Sequence, residues 1–209
     1  MLKNLQLNEF IDELASSSPA PGGGSVSALA GSLSSALVCM VINLTISKEK
    51  FKEVEEELSL ALQEVNDLKN RLCDYIDQDT EAFNIVMNAF KLPKNNDVEK
   101  ELRTNAIQEA MKNAAILPLE VAKDCLRAMY LSKLVTEKGN PNALSDAGVA
   151  CLMAYAGLHG AILNVEINLS SIKDEEFVSN LNDKKESILQ EGKLLQDEIL
   201  KTVHIKLSN

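Results

Sequence analysis

Tryptophan is absent, aromatic residues make up only 4% of the chain, and its 209 residues include two histidines and five prolines. An aromatic-rich β-sandwich is therefore excluded as a first reading, and the abundance of Leu, Ala, Glu and Lys favours helices throughout. Two histidines cannot build a multi-histidine metal site. The four cysteines, Cys39, Cys73, Cys125 and Cys151, are never closer than 26 residues and form no CxxC or Cys/His cluster. They read as reduced thiols of a cytoplasmic protein rather than a disulfide framework or a zinc site, so no metal is expected. The opening MLKNLQLNEFIDELASSS has neither the basic start nor the apolar run of a secretory signal. Basic charge is in deficit, with 21 Lys and Arg against 31 Asp and Glu, a net charge of −10. That excess repels phosphate backbones and anionic lipid, so neither nucleic acid nor membrane is an expected partner. At 45% hydrophobic and 25% charged residues, the composition is that of one globular domain over residues 1–209.

Charge is also missing locally. No residue from Leu14 to Ser47 is charged, and Asp146 is the sole charged residue among the 27 positions from Gly139 to Val165. The 21 positions Val26 to Ile46 could nominally span a bilayer, but Ser27, Gly31, Ser32, Ser34, Ser35, Asn43 and Thr45 dilute their apolar character. A buried core helix fits better. The second stretch is rich in Ala and Gly, which let helix backbones approach closely. Both segments are expected at the centre of a helical assembly, packed across a subunit interface. Caps and breakers give the rest. A short helix runs near Asn8 to Ala15, a loop from Ser16 to Gly24, and the first central helix from Ser25 to Thr45. Long helices follow over Glu49 to Phe90 and Val98 to Glu137, the latter kinked at Pro118. Gly139-Asn140-Pro141 precedes the second central helix, and a charged helix spans Asp174 to His204. The predicted fold is all-α, a bundle of five to six helices with long outer members around two uncharged central ones.

One carboxylate interrupts this patterning. The first long helix carries an apolar stripe at Val54, Leu58, Ala61, Val65, Leu68, Leu72, Tyr75, Phe83, Val86 and Phe90, and Asp79 occupies the missing rung. A buried acid needs a partner or a task, so Asp79 is either a structural cap or salt-bridge partner or a functional group. Asp146 is the second anomaly, and its structural reading is an acid complementing a helix dipole. The run Pro19-Ala20-Pro21-Gly22-Gly23-Gly24-Ser25 fits neither nucleotide-loop spacing. Consecutive glycines serve unusual φ angles or close approach by a ligand, and free amides at a helix start attract anions. His159, among Gly157, Leu158 and Ala161, reads as a packed core residue. Asn164 and Asn168, one turn apart, suit substrate binding or capping.

These residues resemble the formiminotransferase-cyclodeaminase C-terminal family in four separated blocks across essentially the whole chain. The blocks are Ser18 to Ser25 continuing through Gly31 to Thr45, Asp79-Thr80-Glu81-Ala82-Phe83, Gly139-Asn140 with Ser145-Asp146, and Asn164 to Leu169. The resemblance implies an all-helical homodimer acting on a tetrahydrofolate derivative with no bound cofactor. The expected activity is methenyltetrahydrofolate cyclohydrolase. The alternatives are formimidoyltetrahydrofolate cyclodeaminase, fed by a separate formiminotransferase, or a helical protein that binds folate or serves as a scaffold without turnover. Both reactions move protons around one tetrahedral carbon and favour a negative site for a cationic amidinium. Asp79 and Asp146 are the implied catalytic carboxylates of one pocket. Gly22, Gly23, Gly24 and Ser25 would supply amides to the substrate, with Asn43, Asn140 and Asn164 as polar contacts. Lys48, with Lys50 and Lys138 nearby, would attract the glutamate tail.

Overall fold

The computed structural model describes residues 1–46 and 48–208, and every regular element among them is helical. Six α-helices follow in order: α1 (Leu7–Leu14), α2 (Gly23–Ile46), α3 (Glu55–Phe90), α4 (Asp97–Lys138), α5 (Leu144–Leu169) and α6 (Glu175–Leu207). Short 3₁₀ turns cover Leu2–Asn4, Glu49–Val54 and Pro141–Ala143. Side chains start two of the long helices: Asn96 accepts from the Glu99 amide at 2.9 Å, and Asp174 from the Phe177 amide at 3.0 Å. The expected start of the first long helix at Glu49 gives way to the 3₁₀ turn. α3 begins instead where Glu55, Glu56 and Glu57 place three acids at the positive end of its dipole.

The two charge-poor helices, α2 and α5, run antiparallel in the core. Their approach depends on residues without side-chain bulk. A Cβ on Gly157 would lie 2.8 Å from the Ser27 carbonyl oxygen and 2.9 Å from Cys125 Sγ, and one on Gly31 would lie 2.7 Å from the same sulfur. Three of the hydroxyls that made α2 look polar are consumed within the helix, and Ser32 donates to the Lys69 carbonyl of α3 at 3.1 Å. Ser27, Ser35 and Thr45 donate to the carbonyls of Gly23, Gly31 and Val41 at 2.7, 3.0 and 2.6 Å. At the other end of the pair, Asn140 donates through its backbone amide to Thr45 Oγ1 at 2.9 Å and through Nδ2 to the Leu44 carbonyl at 3.1 Å, joining α2 to the start of α5.

Both helices have the length and apolar composition to cross a membrane, yet each buries one face in the bundle. The opposite face is uncharged and open: Val26, Leu33, Met40 and Leu44 on α2, and Val149, Leu152, Leu163 and Ile167 on α5, are each 37–68% exposed. His159 lies in this outer stripe of α5, exposed and edge-on to Tyr155 at 4.4 Å between ring centroids. The core placement expected for it is therefore wrong: its neighbour Leu158 takes the inward position.

α3, α4 and α6 carry the charge. Ion pairs Lys138–Glu57, Arg127–Glu64 and Arg71–Asp124 fix the antiparallel register of α3 and α4, with α6 tied on through Lys133–Glu198 and Lys185–Glu166. Such exposed pairs set alignment more than stability. α4 is continuous through the buried Pro118. The prolyl nitrogen cannot donate to the Ala114 carbonyl four residues back, and Asn168 Nδ2 from α5 donates there instead at 2.8 Å.

The packing distances predict a contrast between two glycines of α5. Gly157→Ala, which meets backbone, is expected to cost about 1–3 kcal/mol in denaturant unfolding. Gly148→Ala, whose Cβ would meet the Val203 side chain at 3.3 Å, should change stability by less than about 1 kcal/mol.

Candidate active site

Asp79 projects from α3 toward the first turn of α2. The buried face of α3 runs through Leu58, Ala61, Val65, Leu68, Leu72 and Ile76, with Tyr75 only half-buried, so Asp79 follows Ile76 by three residues on the same side. One carboxylate oxygen, Oδ2, accepts from the Ser25 backbone amide and faces the Ser25 hydroxyl, each at 2.9 Å. Asp79 thus caps α2 from another helix. This explains why α2 starts at Gly23 rather than Ser25, with Gly24 and Ser25 inside its first turn. The three glycines do not adopt positive φ. Gly24 is required for a different reason: a Cβ there would fall 2.0 Å from Asp79 Oδ1. The close approach belongs to the protein's own carboxylate.

The Ser25 hydroxyl also lies 2.9 Å from the Ile76 carbonyl. One hydroxyl hydrogen faces two acceptors while Asp79 is ionised. When Asp79 takes up a proton, it can donate to Ser25 Oγ while Ser25 donates to Ile76, and both acceptors are satisfied. Burial raises the Asp79 carboxyl above its ordinary value of 3.8, with the two Ser25 contacts opposing that rise. The arrangement suits a group that gains and loses a proton.

Asp79 opens on a cleft of about 350 Å³ lined by Gly22, Gly23 and Gly24 of the α2 entry, Phe83 and Val86 of α3, and Asn164 and Asn168 of α5. Apolar Ala82, Ala114 and Ile167 complete much of its wall. The amides of Gly23 and Gly24 have no hydrogen-bond partner among the described residues. Asn164 Nδ2 donates to the Gly160 carbonyl at 2.8 Å. A larger groove of about 450 Å³ lies between α4 and α6, where Lys123 pairs with Glu120 and Asp174 with Lys112.

The remaining residues singled out from the sequence gather at the opposite end of the α2/α5 pair. Asp146, half-buried, stands in the first turn of α5, eighteen residues and about 27 Å of helix from Asn164. Asn140 is 3% exposed, and its side chain also accepts from the Asn142 amide, so its polar atoms are taken up in joining helices. Asn43 and Lys48 are exposed near the C-terminal end of α2. Lys138 is paired with Glu57. The chain by itself therefore does not bring Asp79 and Asp146 into one pocket. Ala82, Ala114 and the Pro118–Asn168 link escape a sequence reading, since small apolar residues on a helix carry no signal of their own. Pro118 alone marked an unpaired carbonyl.

A family model described as formiminotransferase-cyclodeaminase matches residues 6–187. The chain is 44% identical, over the whole of both chains, to a Methylorubrum extorquens protein named methenyltetrahydrofolate cyclohydrolase. It is 33% identical to the formimidoyltransferase-cyclodeaminase of Rattus norvegicus over 92% of its own length, spanning 36% of that longer protein. Its structure superposes on the crystal structure of formiminotetrahydrofolate cyclodeaminase from Thermotoga maritima with a TM-score of 0.88, 30% identity and 98% coverage of each chain.

The raised Asp79 carboxyl gives a pH signature. A folded-state value above the unfolded one means that stability is fully present below the unfolded value and is lost as pH rises through the folded one. Wild type is expected to lose stability relative to Asp79→Asn as pH rises from about 4, the difference levelling off once the folded carboxyl is ionised. Urea unfolding of both proteins across that range checks it.

Proposed function

The chain belongs to the formiminotransferase-cyclodeaminase family, and from that premise we propose that it is a cytoplasmic enzyme of folate one-carbon metabolism that hydrolyses 5,10-methenyltetrahydrofolate to 10-formyltetrahydrofolate. One observation carries the reading: a mostly buried carboxylate with a raised pKa and a hydroxyl partner faces a cleft, in a chain that matches a cyclohydrolase from end to end. Residues 1–209 act as one cyclohydrolase-like domain, with a tetrahydrofolate derivative as substrate and no bound cofactor. The bridging carbon of the methenyl cation is already electrophilic, so the protein has only to attract the cation and handle protons.

In this mechanism ionised Asp79 favours the cationic bridge and takes a proton from the attacking water as its oxygen bonds to the bridging carbon. The proton then passes to N5 as the carbon–N5 bond breaks. The hydroxyl of the tetrahedral carbon loses its proton to solvent, leaving the formyl group on N10 and one proton released overall. Ser25 follows the change, donating to Asp79 in one state and to Ile76 in the other.

A second reading, formimidoyltetrahydrofolate cyclodeaminase, is favoured by the likeness to the separate Thermotoga maritima cyclodeaminase chain. There N10 attacks the formimino carbon and ammonia departs with a proton from the same carboxyl, and a separate formiminotransferase would supply the substrate.

The open faces of α2 and α5 favour a homodimer. They are apolar and nearly free of charge, the character of an interface rather than of a solvated surface. The candidate residues fall at the two ends of this face. A two-fold axis across the middle of the helix pair exchanges the ends, bringing Asp146 of the partner subunit toward Asp79.

Three experiments test this. Purified protein offered methenyl- and formimidoyltetrahydrofolate separately should open the first ring, followed by loss of methenyl absorbance, and release little ammonia from the second. Ammonia release with little hydrolysis selects the cyclodeaminase, and no turnover of either substrate removes the enzyme reading. Asp79→Asn should lower kcat at least about 100-fold while remaining folded. Mixing inactive Asp79→Asn and Asp146→Asn chains after co-refolding should restore about a quarter of wild-type activity, since half the dimers are mixed and each holds one intact composite site. No recovery would show that the two carboxylates do not share a site between subunits.

A further inference from the structure

The α5 wall of the cleft carries two acceptor oxygens, those of the Asn164 and Asn168 side chains. Asn164 spends its amide nitrogen on the Gly160 carbonyl, and Asn168 spends its own on the Ala114 carbonyl, both at 2.8 Å. Among the described residues the carbonyl oxygen of each side chain has no partner, and both residues line the cleft. A neighbouring carbonyl can only accept, so these contacts decide which way each amide faces. Across the cleft stand Asp79 Oδ1, also an acceptor, and the partnerless amides of Gly23 and Gly24.

The Asn168 orientation has a cause in α4. In an uninterrupted helix the Ala114 carbonyl would be occupied by the amide of residue 118. Residue 118 is proline, so that carbonyl is free to take the Asn168 side chain. With an amide restored at 118, the carbonyl would return to the helix ladder and Asn168 would be freed to turn its amide.

Two acceptor oxygens one helical turn apart suit a ring edge rich in N–H groups better than they suit the carboxylates of a folate tail. The 2-amino-4-oxopyrimidine ring of a tetrahydropterin presents such an edge, with donors on its 2-amino group and at N3. We propose that Asn164 and Asn168 form an acceptor pair that reads this donor edge of the pterin, and that Pro118 is a positioning residue that holds Asn168 in the reading orientation. The inference rests on the folate reading of the cleft and adds which end of the substrate lies against α5.

The test compares 5,10-methenyltetrahydrofolate with its analogue carrying a 2-methyl group in place of the 2-amino group. The intact chain is used, with ring opening followed by absorbance. Wild type is expected to favour the parent compound in kcat/KM by on the order of tenfold or more. Asn164→Ala and Asn168→Ala should each erase most of that preference. Pro118→Ala should raise KM for the parent with kcat nearly unchanged and weaken the preference, a pattern that loss of packing alone would not give. If Pro118→Ala does not fold, the half-buried Asn168→Ala carries the comparison. Equal turnover of parent and analogue by wild type, or full discrimination by Asn168→Ala, overturns this inference and leaves the folate reading standing. Failure of wild type to turn over or bind any folate removes that reading, and the pterin pair with it.

Discussion

A helix whose first residues are glycines has no side chain of its own with which to cap its free amides, and α2 is such a helix. Its start depends on a carboxylate borrowed from α3. Asp79 accepts from the Ser25 amide and presses against the bare Cα of Gly24, so the helix entry, the end of the α3 core face and the mouth of the cleft are fixed by one contact. Structural and chemical demands on this acid do not compete. The capping bond favours the charge that burial disfavours, and the balance leaves a carboxyl that titrates higher than an exposed one.

Helix α5 imposes the second constraint. Its inward glycines bring it within backbone contact of α2, its outward stripe is apolar and open, and its last turns present Asn164 and Asn168 to the cleft. Length and hydropathy alone would admit a bilayer for both helices. Their glycine contacts show instead that each already has a protein partner on one side.

The helical fold and the order of its elements were legible because charge, caps and breakers act locally. Asp79 was legible because a carboxylate in an apolar stripe violates a periodicity that only packing imposes. The glycine run reads as a place of unusual φ or of close approach by a ligand, whereas no glycine takes a positive φ and the group against Gly24 is the chain's own Asp79. Its identity depends on which helix lies alongside, which no local rule supplies. Asp146 and Asn164 lie on one helix about 27 Å apart, a separation implicit in their numbering. What the numbering cannot supply is the symmetry that would bring the two ends together. His159 escapes a sequence reading because apolar neighbours on a helix mark a buried face and an open apolar face alike. Pro118 announced an unpaired carbonyl, whereas its partner Asn168, fifty residues away, became visible only in three dimensions.

The uses crowded onto α5 also divide the chain's freedom to vary. With one side committed to backbone contact, another to an uncharged surface and an end to the cleft, that helix has scarcely a position where drift would be neutral. The outer faces of α3, α4 and α6, held mainly by exposed ion pairs, can exchange charge for charge at little cost. A lineage carrying this fold would be expected to record its history on those outer helices, while α5 changes slowly and in concert with α2.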